Sequence, residues 1–255
     1  MGRRTANRLG FGIDIGGSGI KGAPVDLARG RLADDRLRIP TPRPATPEAV
    51  AGTVAEILRH FGWRADFGCT FPAVVQAGVV RSAANVDTAW VGVDAHALLR
   101  SATGQRAVVV NDADAAGLAE AHFGAARDHG GTVLVTTLGT GIGSALVHDG
   151  TLVPNTELGH LELDGCDAES RAAESARTRE GLSWEDWAQR LTSYYRHVED
   201  LLWPDLIVVG GGVSRKSAKW LPLVKARTPI VPAELANDAG IIGAARITGQ
   251  RRRKP

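Results

Sequence analysis

Asp14-Ile15-Gly16-Gly17-Ser18-Gly19-Ile20-Lys21-Gly22 breaks an apolar, strand-like stretch near the start of the chain. Phe11–Ile15 before it reads as a strand, and Ile20–Leu27 after it resumes strand-like alternation. The glycines therefore make a hairpin turn, not the strand-to-helix turn of a Walker or dinucleotide loop. Glycine lets the backbone curl until successive N–H groups converge on an anion, and Ser18 adds a hydroxyl donor. Asp14, Gly16, Gly17, Ser18, Gly19 and Lys21 are thus candidate phosphate-gripping residues. Asp14, at the strand end, has the oxygen ligands to hold magnesium through water.

Outward from this turn, Arg31–Ile39 offers a third strand segment and the Pro40–Pro47 stretch ends the meander. Apolar residues at Val50, Val54, Ile57, Leu58 and Phe61 predict a helix over Glu48–Phe61. Asp66–Cys69 and Gly78–Arg81 read as strands, and Asp94–Thr103 as a helix capped by Asp94. Ala107–Val110 is a β-branched run ending in Asn111-Asp112, followed by an alanine-rich helix over Ala113–Phe123 with Gly124 as its stop. The second half repeats the theme: strand Thr132–Thr137, glycine turn Leu138–Gly143, strand Ser144–His148. A long amphipathic helix follows over Ser183–Leu202, with Asp186 set for a capping-box-like contact. Strand Asp205–Val209 then runs into Gly210-Gly211-Gly212 and a helix at Ser214, and a last helix covers Ala239–Thr248. This pattern predicts two similar α/β halves with a ligand cleft between them. Residues 1–110 are expected as the smaller domain, with the C-terminal helix at about 238–248 packing back on it, and 111–237 as the larger.

The second turn has the same physics as the first, which makes Thr137, Gly139, Thr140 and Gly141 candidates for the same phosphoryl donor, with Gly211 and Gly212 for a nucleoside or further phosphate. Phosphoryl transfer to an alcohol needs positioning and a base for the hydroxyl proton. Asn111-Asp112 sits at a strand C-terminus, where ligand sites of parallel α/β sheets collect. Asp112 is the candidate base and Asn111 a hydroxyl-binding amide, although the pair also suits a helix N-cap. Glu157 and His160, three residues apart, offer the carboxylate and imidazole that adjacent sugar hydroxyls require.

Bulk properties narrow the classes. The 255 residues, 44% hydrophobic and 23% charged, suit a soluble globular protein of two modest domains. A net charge of +2 does not argue for nucleic acid, and the basic ends (Arg3, Arg4, Arg8 and Arg251–Lys254) read as solvated tails. Cys69 and Cys166 have no metal-type spacing and form no disulfide framework, which fits a reducing cytosol. No apolar run approaches a membrane span, so a cytoplasmic protein without a membrane partner is expected.

Asp14–Gly22, Asn111-Asp112-Ala113-Asp114-Ala115-Ala116, Leu138–Gly143 and Glu157-Leu158-Gly159-His160 together resemble the ROK-type sugar kinases of the actin/hexokinase/Hsp70 superfamily. More narrowly, Pro154–Glu162, Ser183-Trp-Glu-Asp-Trp187, Trp203–Ser214 and Arg227–Ala233 are similar to the polyphosphate glucokinase branch. The resemblance implies two ribonuclease H-like (actin-like ATPase) α/β domains with a cleft between them. It implies phosphorylation of the glucose 6-hydroxyl by inorganic polyphosphate and ATP with Mg2+, in a homodimer. It puts Asp112 at the catalytic-base position and Asn111, Glu157 and His160 at sugar contacts. Asn85, in Ala84-Asn-Val-Asp87, falls on the sugar-binding asparagine loop, and Glu169 is a further sugar contact. The cysteine-rich zinc motif that many ROK proteins carry after the histidine is absent, so no structural zinc is expected. A polyphosphate donor calls for a basic track, for which Arg171, Arg177, Arg179, Lys216, Lys219, Lys225 and Arg227 are candidates. Two other readings are a strictly ATP-dependent hexokinase or mannokinase of the same fold, and a sugar-sensing regulator. The regulator predicts a helix-turn-helix, for which the stretch before Phe11 is too short.

Overall fold

The computed structural model describes residues 9–83 and 87–251. Asn85, Arg3, Arg4, Arg8 and residues 252–254 lie outside the described residues. Residues up to Ala115 and from Asp238 onward form one compact unit, and Ala116–Asn237 form another.

In the first unit, β1 (Leu9–Gly16) and β2 (Gly19–Asp26) form an antiparallel hairpin in which Gly16 faces Gly19. β3 (Arg31–Leu32) and β4 (Leu37–Ile39) both pair with β2. The segment expected over Arg31–Ile39 is thus two short strands, broken where Asp34 and Asp35 turn to solvent. α1 (Pro47–His60) begins where the Thr46 hydroxyl accepts from the Ala49 amide, and it buries Val50, Val54, Ile57 and Leu58 along one face. β5 (Phe67–Phe71) lies parallel to β1. β6 (Val75–Gln76) and β7 (Val79–Val80) make a separate small ladder, so Gly78–Arg81 contributes no strand to the main sheet. α2 (Ala95–Thr103) is capped by Asp94 and ends at left-handed Gly104. β8 (Ala107–Asn111) pairs parallel with β5 and passes directly into α3 (Asp112–Phe123). The sheet order is β3-β2-β1-β5-β8, with β4 also on β2.

The second unit repeats this plan. β9 (Thr132–Leu138), β10 (Ile142–His148) and β11 (Thr151–Val153) form an antiparallel meander. β12 (Glu162–Leu163) and β13 (Cys166–Asp167) form a hairpin leading into α4 (Ala168–Ala172) and α5 (Glu174–Glu180). α6 (Trp184–Leu202) starts at Ser183, whose hydroxyl accepts from the Asp186 amide and donates to the Asp186 carboxylate. Its apolar face buries Trp187, Leu191, Tyr194, Tyr195 and Val198. β14 (Leu206–Gly210) and β15 (Ile230–Pro232) complete a sheet ordered β11-β10-β9-β14-β15. In both units a hairpin carries a third antiparallel strand on one side and parallel strands on the other. The helix expected at Ser214 is instead a run of 3-10 turns, Gly212–Lys219, with non-helical backbone at Lys216.

α7 (Ala239–Arg251) belongs to the first unit and shows why its strands are glycine-rich. Side chains alternate across a strand, so Phe11, Ile13 and Ile15 enter the core shared with α1 and α2, while Gly10, Gly12 and Asp14 take the other face. A Cβ on Gly12 would sit 1.8 Å from the Ile241 carbonyl oxygen, and one on Gly68 1.7 Å from that of Ala244. Helix backbone therefore rests on strand backbone with no side chain between them. Among the described residues, no helix is long and apolar enough to cross a membrane.

Gly68→Ala should lower unfolding stability by about 3 kcal/mol, because the obstacle is a backbone carbonyl that cannot rotate away. Gly52→Ala, in open space on α1, should raise it by about 0.5–1 kcal/mol. Urea denaturation of the two variants checks both signs.

Candidate active site

The first unit gathers its polar residues at the C-terminal ends of β1, β5 and β8. Asp14 is the cross-strand partner of Lys21 on β2 and of Thr70 on β5. Its two carboxylate oxygens are shared accordingly: Oδ1 accepts from the Thr70 hydroxyl at 2.8 Å and Oδ2 from the Lys21 ammonium at 3.2 Å. Each oxygen keeps a lone pair, but the ammonium occupies the near position. The donor set fits a magnesium ion held through water. Cys69 lies beneath; burial pushes its thiol far above the usual range and Asp14 adds to the rise, so the thiol stays protonated.

On the same sheet edge, Val110 pairs with Thr70 and Asn111 with Phe71. Asn111 is almost fully buried and caps α3: its Oδ1 accepts from the amides of Ala113 at 2.8 Å and Asp114 at 3.1 Å. Its Nδ2 donates to the Ala73 carbonyl at 3.2 Å, leaving one hydrogen of that amide group. Much of the Asn111 side chain is thus committed to the fold. Asp112, the first residue of α3, is exposed. Its Oδ1 accepts from the Ala113 amide at 2.9 Å. Beside the first turn is a cavity of about 340 Å3, lined by Gly16, Gly17, Thr41, Phe71, Pro72 and Trp90 among others.

In the second unit, Thr137 on β9 lies between its partners Gly143 on β10 and Gly210 on β14. Gly159 presses on β10, where a Cβ would meet the Ile142 carbonyl oxygen at 2.2 Å. The Ser144 hydroxyl donates to the Thr156 carbonyl and accepts from the Leu158 amide. These contacts hold Glu157 and His160 beside the second glycine turn. The Glu157 carboxylate is exposed and, among the described residues, has no hydrogen-bond or ion-pair partner. Glu169 accepts from the Ile142 amide at 3.0 Å through Oε2, while its Oε1 is 4.0 Å from His160 Nδ1. His160 Nδ1 is 2.8 Å from Asp167 Oδ2. That bond holds the imidazole above its usual value; partial burial opposes the rise, and Glu169, Asp167 and Glu157 add to it. Ligand atoms of His160, Asp167 and Glu169 lie within 4.8 Å of one another. Within this group Nδ1 is engaged by the Asp167 hydrogen bond.

All three glycine turns share a device that sequence reading missed. A hydroxyl donates to a turn carbonyl in each: Thr41 to Gly16, Ser175 to Thr140, and Ser214 to Gly211. Arg38 also donates to the Ser18 carbonyl at 2.7 Å, and the Ser175 amide to the Gly139 carbonyl at 3.0 Å. Within the second turn the Gly139 amide also donates to the Gly141 carbonyl at 3.0 Å, which fixes the backbone of that turn further. Gly211 has φ +83°, and a Cβ there would lie 2.2 Å from the Leu138 carbonyl oxygen, so the third turn abuts the second. Gly212 opens the 3-10 segment. Of the basic residues considered for a track, Arg177 stacks on Trp184 at 3.6 Å, Arg179 pairs with Glu180, and Arg227 pairs with Asp200. Lys216 and Lys219 are exposed and have no ion-pair partner among the described residues.

Residues 10–181 match the ROK family, and the chain belongs to it. Within that family, the chain is 53% identical over 242 residues to the polyphosphate glucokinase of Mycobacterium tuberculosis (strain CDC 1551 / Oshkosh), covering 94% of this chain and 91% of the relative. It superposes on the inorganic polyphosphate/ATP-glucomannokinase of Arthrobacter sp. strain KM with TM-score 0.91 and 53% identity, covering 96% and 100% of the two chains. The ROK hexokinase of Thermus thermophilus is more distant, at 26% identity and TM-score 0.74 over 95% and 99%. The fold is that of the ribonuclease H-like, actin-like α/β sugar kinases.

Asn111→Ala removes the α3 cap and should cost about 1–2 kcal/mol in chemical denaturation, while Asn111→Asp should recover most of it. The His160 value is raised on folding, so its contribution to stability is complete below about pH 6.5, the unfolded value, and is lost as pH rises through the folded value. The ring is 47% exposed, so the effect is screened and small. The stability difference between wild type and His160→Ala should narrow as pH rises through the folded value.

Proposed function

We propose that this chain transfers the terminal phosphoryl group of inorganic polyphosphate, and the γ-phosphoryl group of ATP, to the 6-hydroxyl of glucose. The observation that carries the reading is the exposed Asp112 carboxylate, set at the start of α3 on the sheet edge that also bears the first glycine turn. The identity of donor and sugar follows the relatives at 53% identity.

Asp112 takes the proton of the sugar O6 as that oxygen attacks the terminal phosphorus. The bond from phosphorus to the bridging oxygen breaks, and its electron pair leaves with the shortened polyphosphate or with ADP. Asn111 fixes the backbone at Asp112 and offers its remaining Nδ2 hydrogen to a sugar hydroxyl. Glu157, His160 and Glu169 take further hydroxyls, and Asn85 is a further sugar contact. Gly16, Gly17, Ser18 and Gly19, together with Thr137, Gly139, Thr140 and Gly141, hold donor phosphates through turn amides and hydroxyls. Lys21 adds charge, and Gly211 and Gly212 meet the nucleoside or the next phosphates. Magnesium, when bound, would offset charge on the donor phosphates, and Asp14 would hold it through water. The reading carries with it a cytoplasmic homodimer.

Asp112→Ala should lower turnover at least about 100-fold while glucose binding stays measurable by calorimetry; near-normal turnover would remove Asp112 as the base. Purified protein with magnesium should form glucose 6-phosphate from polyphosphate and from ATP. Activity with ATP alone would overturn the donor assignment, and no activity with either would overturn the kinase reading.

A further inference from the structure

Asp167 has no role in the chemistry above, yet the fold gives its two oxygens separate tasks. Asp164 and Gly165 both adopt left-handed backbone, with φ +52° and +71°, in the two-residue turn between β12 and β13. This is the turn chemistry that reverses a hairpin tightly, and it sets Asp167 opposite Glu162, back beside the Leu158–His160 turn. The Ala168 amide then donates to the Leu161 carbonyl at 2.8 Å and closes the loop. Asp167 Oδ1 caps α4, accepting from the amides of Glu169 at 3.0 Å and Ser170 at 3.3 Å. An N-cap needs only that oxygen. Oδ2 is left over, and it accepts from His160 Nδ1 at 2.8 Å.

We propose that Asp167 is a positioning residue of the sugar site, holding the His160 ring in one orientation and one tautomer through Oδ2 while Oδ1 anchors the helix that carries Glu169. The inference rests on the reading of His160 as a sugar contact. With the proton kept on Nδ1, the neutral ring presents Nε2 as an acceptor to a hydroxyl donor, and the protonated ring presents it as a donor. Without Asp167 the ring is free to rotate and to exchange tautomers, so each sugar-binding event must order it again. The other charged groups around the imidazole are Glu169 and Glu157, both carboxylates that favour its protonated form, while partial burial opposes it. One acidic side chain therefore ties together three parts of the site: His160, the start of α4, and, through Glu169 on α4, the Ile142 amide of the second glycine turn.

Asp167→Asn separates the two tasks, because asparagine keeps a capping oxygen but loses the charged acceptor. The melting temperature should stay close to wild type. The glucose KM should rise roughly tenfold, as expected for loss of a charge-assisted hydrogen bond, with donor KM values unchanged. The rise should vanish in a His160→Ala background. In nitrogen-15 spectra of the wild-type imidazole, the neutral ring should carry its proton on Nδ1, and in Asp167→Asn the ring should titrate at lower pH. A wild-type ring protonated on Nε2 would overturn the proposal without any variant. So would an Asp167→Asn protein with wild-type glucose KM, or one whose defect persists in full in the His160→Ala background. Should the asparagine variant fail to fold, Asp167→Ser, which also caps, gives the same comparison. Failure of the wild type to phosphorylate glucose would instead overturn the functional reading, and the spectra would still report the Asp167 contact by itself.

Discussion

The carbonyl oxygens of α7 rest directly on the glycine backbones of β1 and β5, and the polar edge of the first unit is arranged around that contact. Gly12 and Gly68 lie under Ile241 and Ala244, and Gly243 lies against the Ala115 carbonyl at the start of α3. No other residue type permits such an approach, because a Cβ would overlap a backbone atom that has nowhere to go. Sheet pleating then fixes what comes next on the same face. Two residues beyond Gly12 is Asp14, two beyond Gly68 is Thr70, and these two are hydrogen-bonded. The contact that packs the helix thus aims the carboxylate.

Preorganisation recurs at each glycine turn by a different covalent route. Thr41 comes from the loop before α1, Ser175 from the first turn of α5, and Ser214 from the 3-10 segment after β14, yet each ties back a turn carbonyl. A glycine-rich turn is otherwise the most mobile of loops, and ordering it on ligand binding would weaken binding. Holding its carbonyls in advance reduces the ordering that remains to be done.

Much of the local structure around the candidate site was legible in the sequence because it depends on neighbouring residues. The hairpin around Gly17 and Ser18, the second one around Thr140, the caps at Asp94 and Ser183, and Asp112 at a strand-to-helix junction follow from spacing and residue type over a few positions. The repeated strand and glycine pattern likewise matches the common sheet plan of the two units. Asn111 is instructive: its residue type fits both a hydroxyl-binding amide and an N-cap, and the structure shows that capping uses its oxygen and part of its amide group.

Contacts between residues far apart in the chain could not be read that way. Arg38 on the Ser18 carbonyl, Ser175 on Thr140 and Glu169 on the Ile142 amide depend on strand register and helix placement, which no short window encodes. The same holds for the 3-10 segment at Ser214 and for the split of Arg31–Ile39 into two strands, where tertiary contacts and solvated aspartates overrode a regular continuation. By itself, the sequence determined which groups could bind phosphate, accept a proton and meet a sugar, because those capacities belong to side chains and short turns. Only the tertiary structure decided which carbonyls are tied back, that Asp14 is shared between Thr70 and Lys21, and that Asp167 reaches His160. Each of those depends on atoms brought within hydrogen-bond distance by packing.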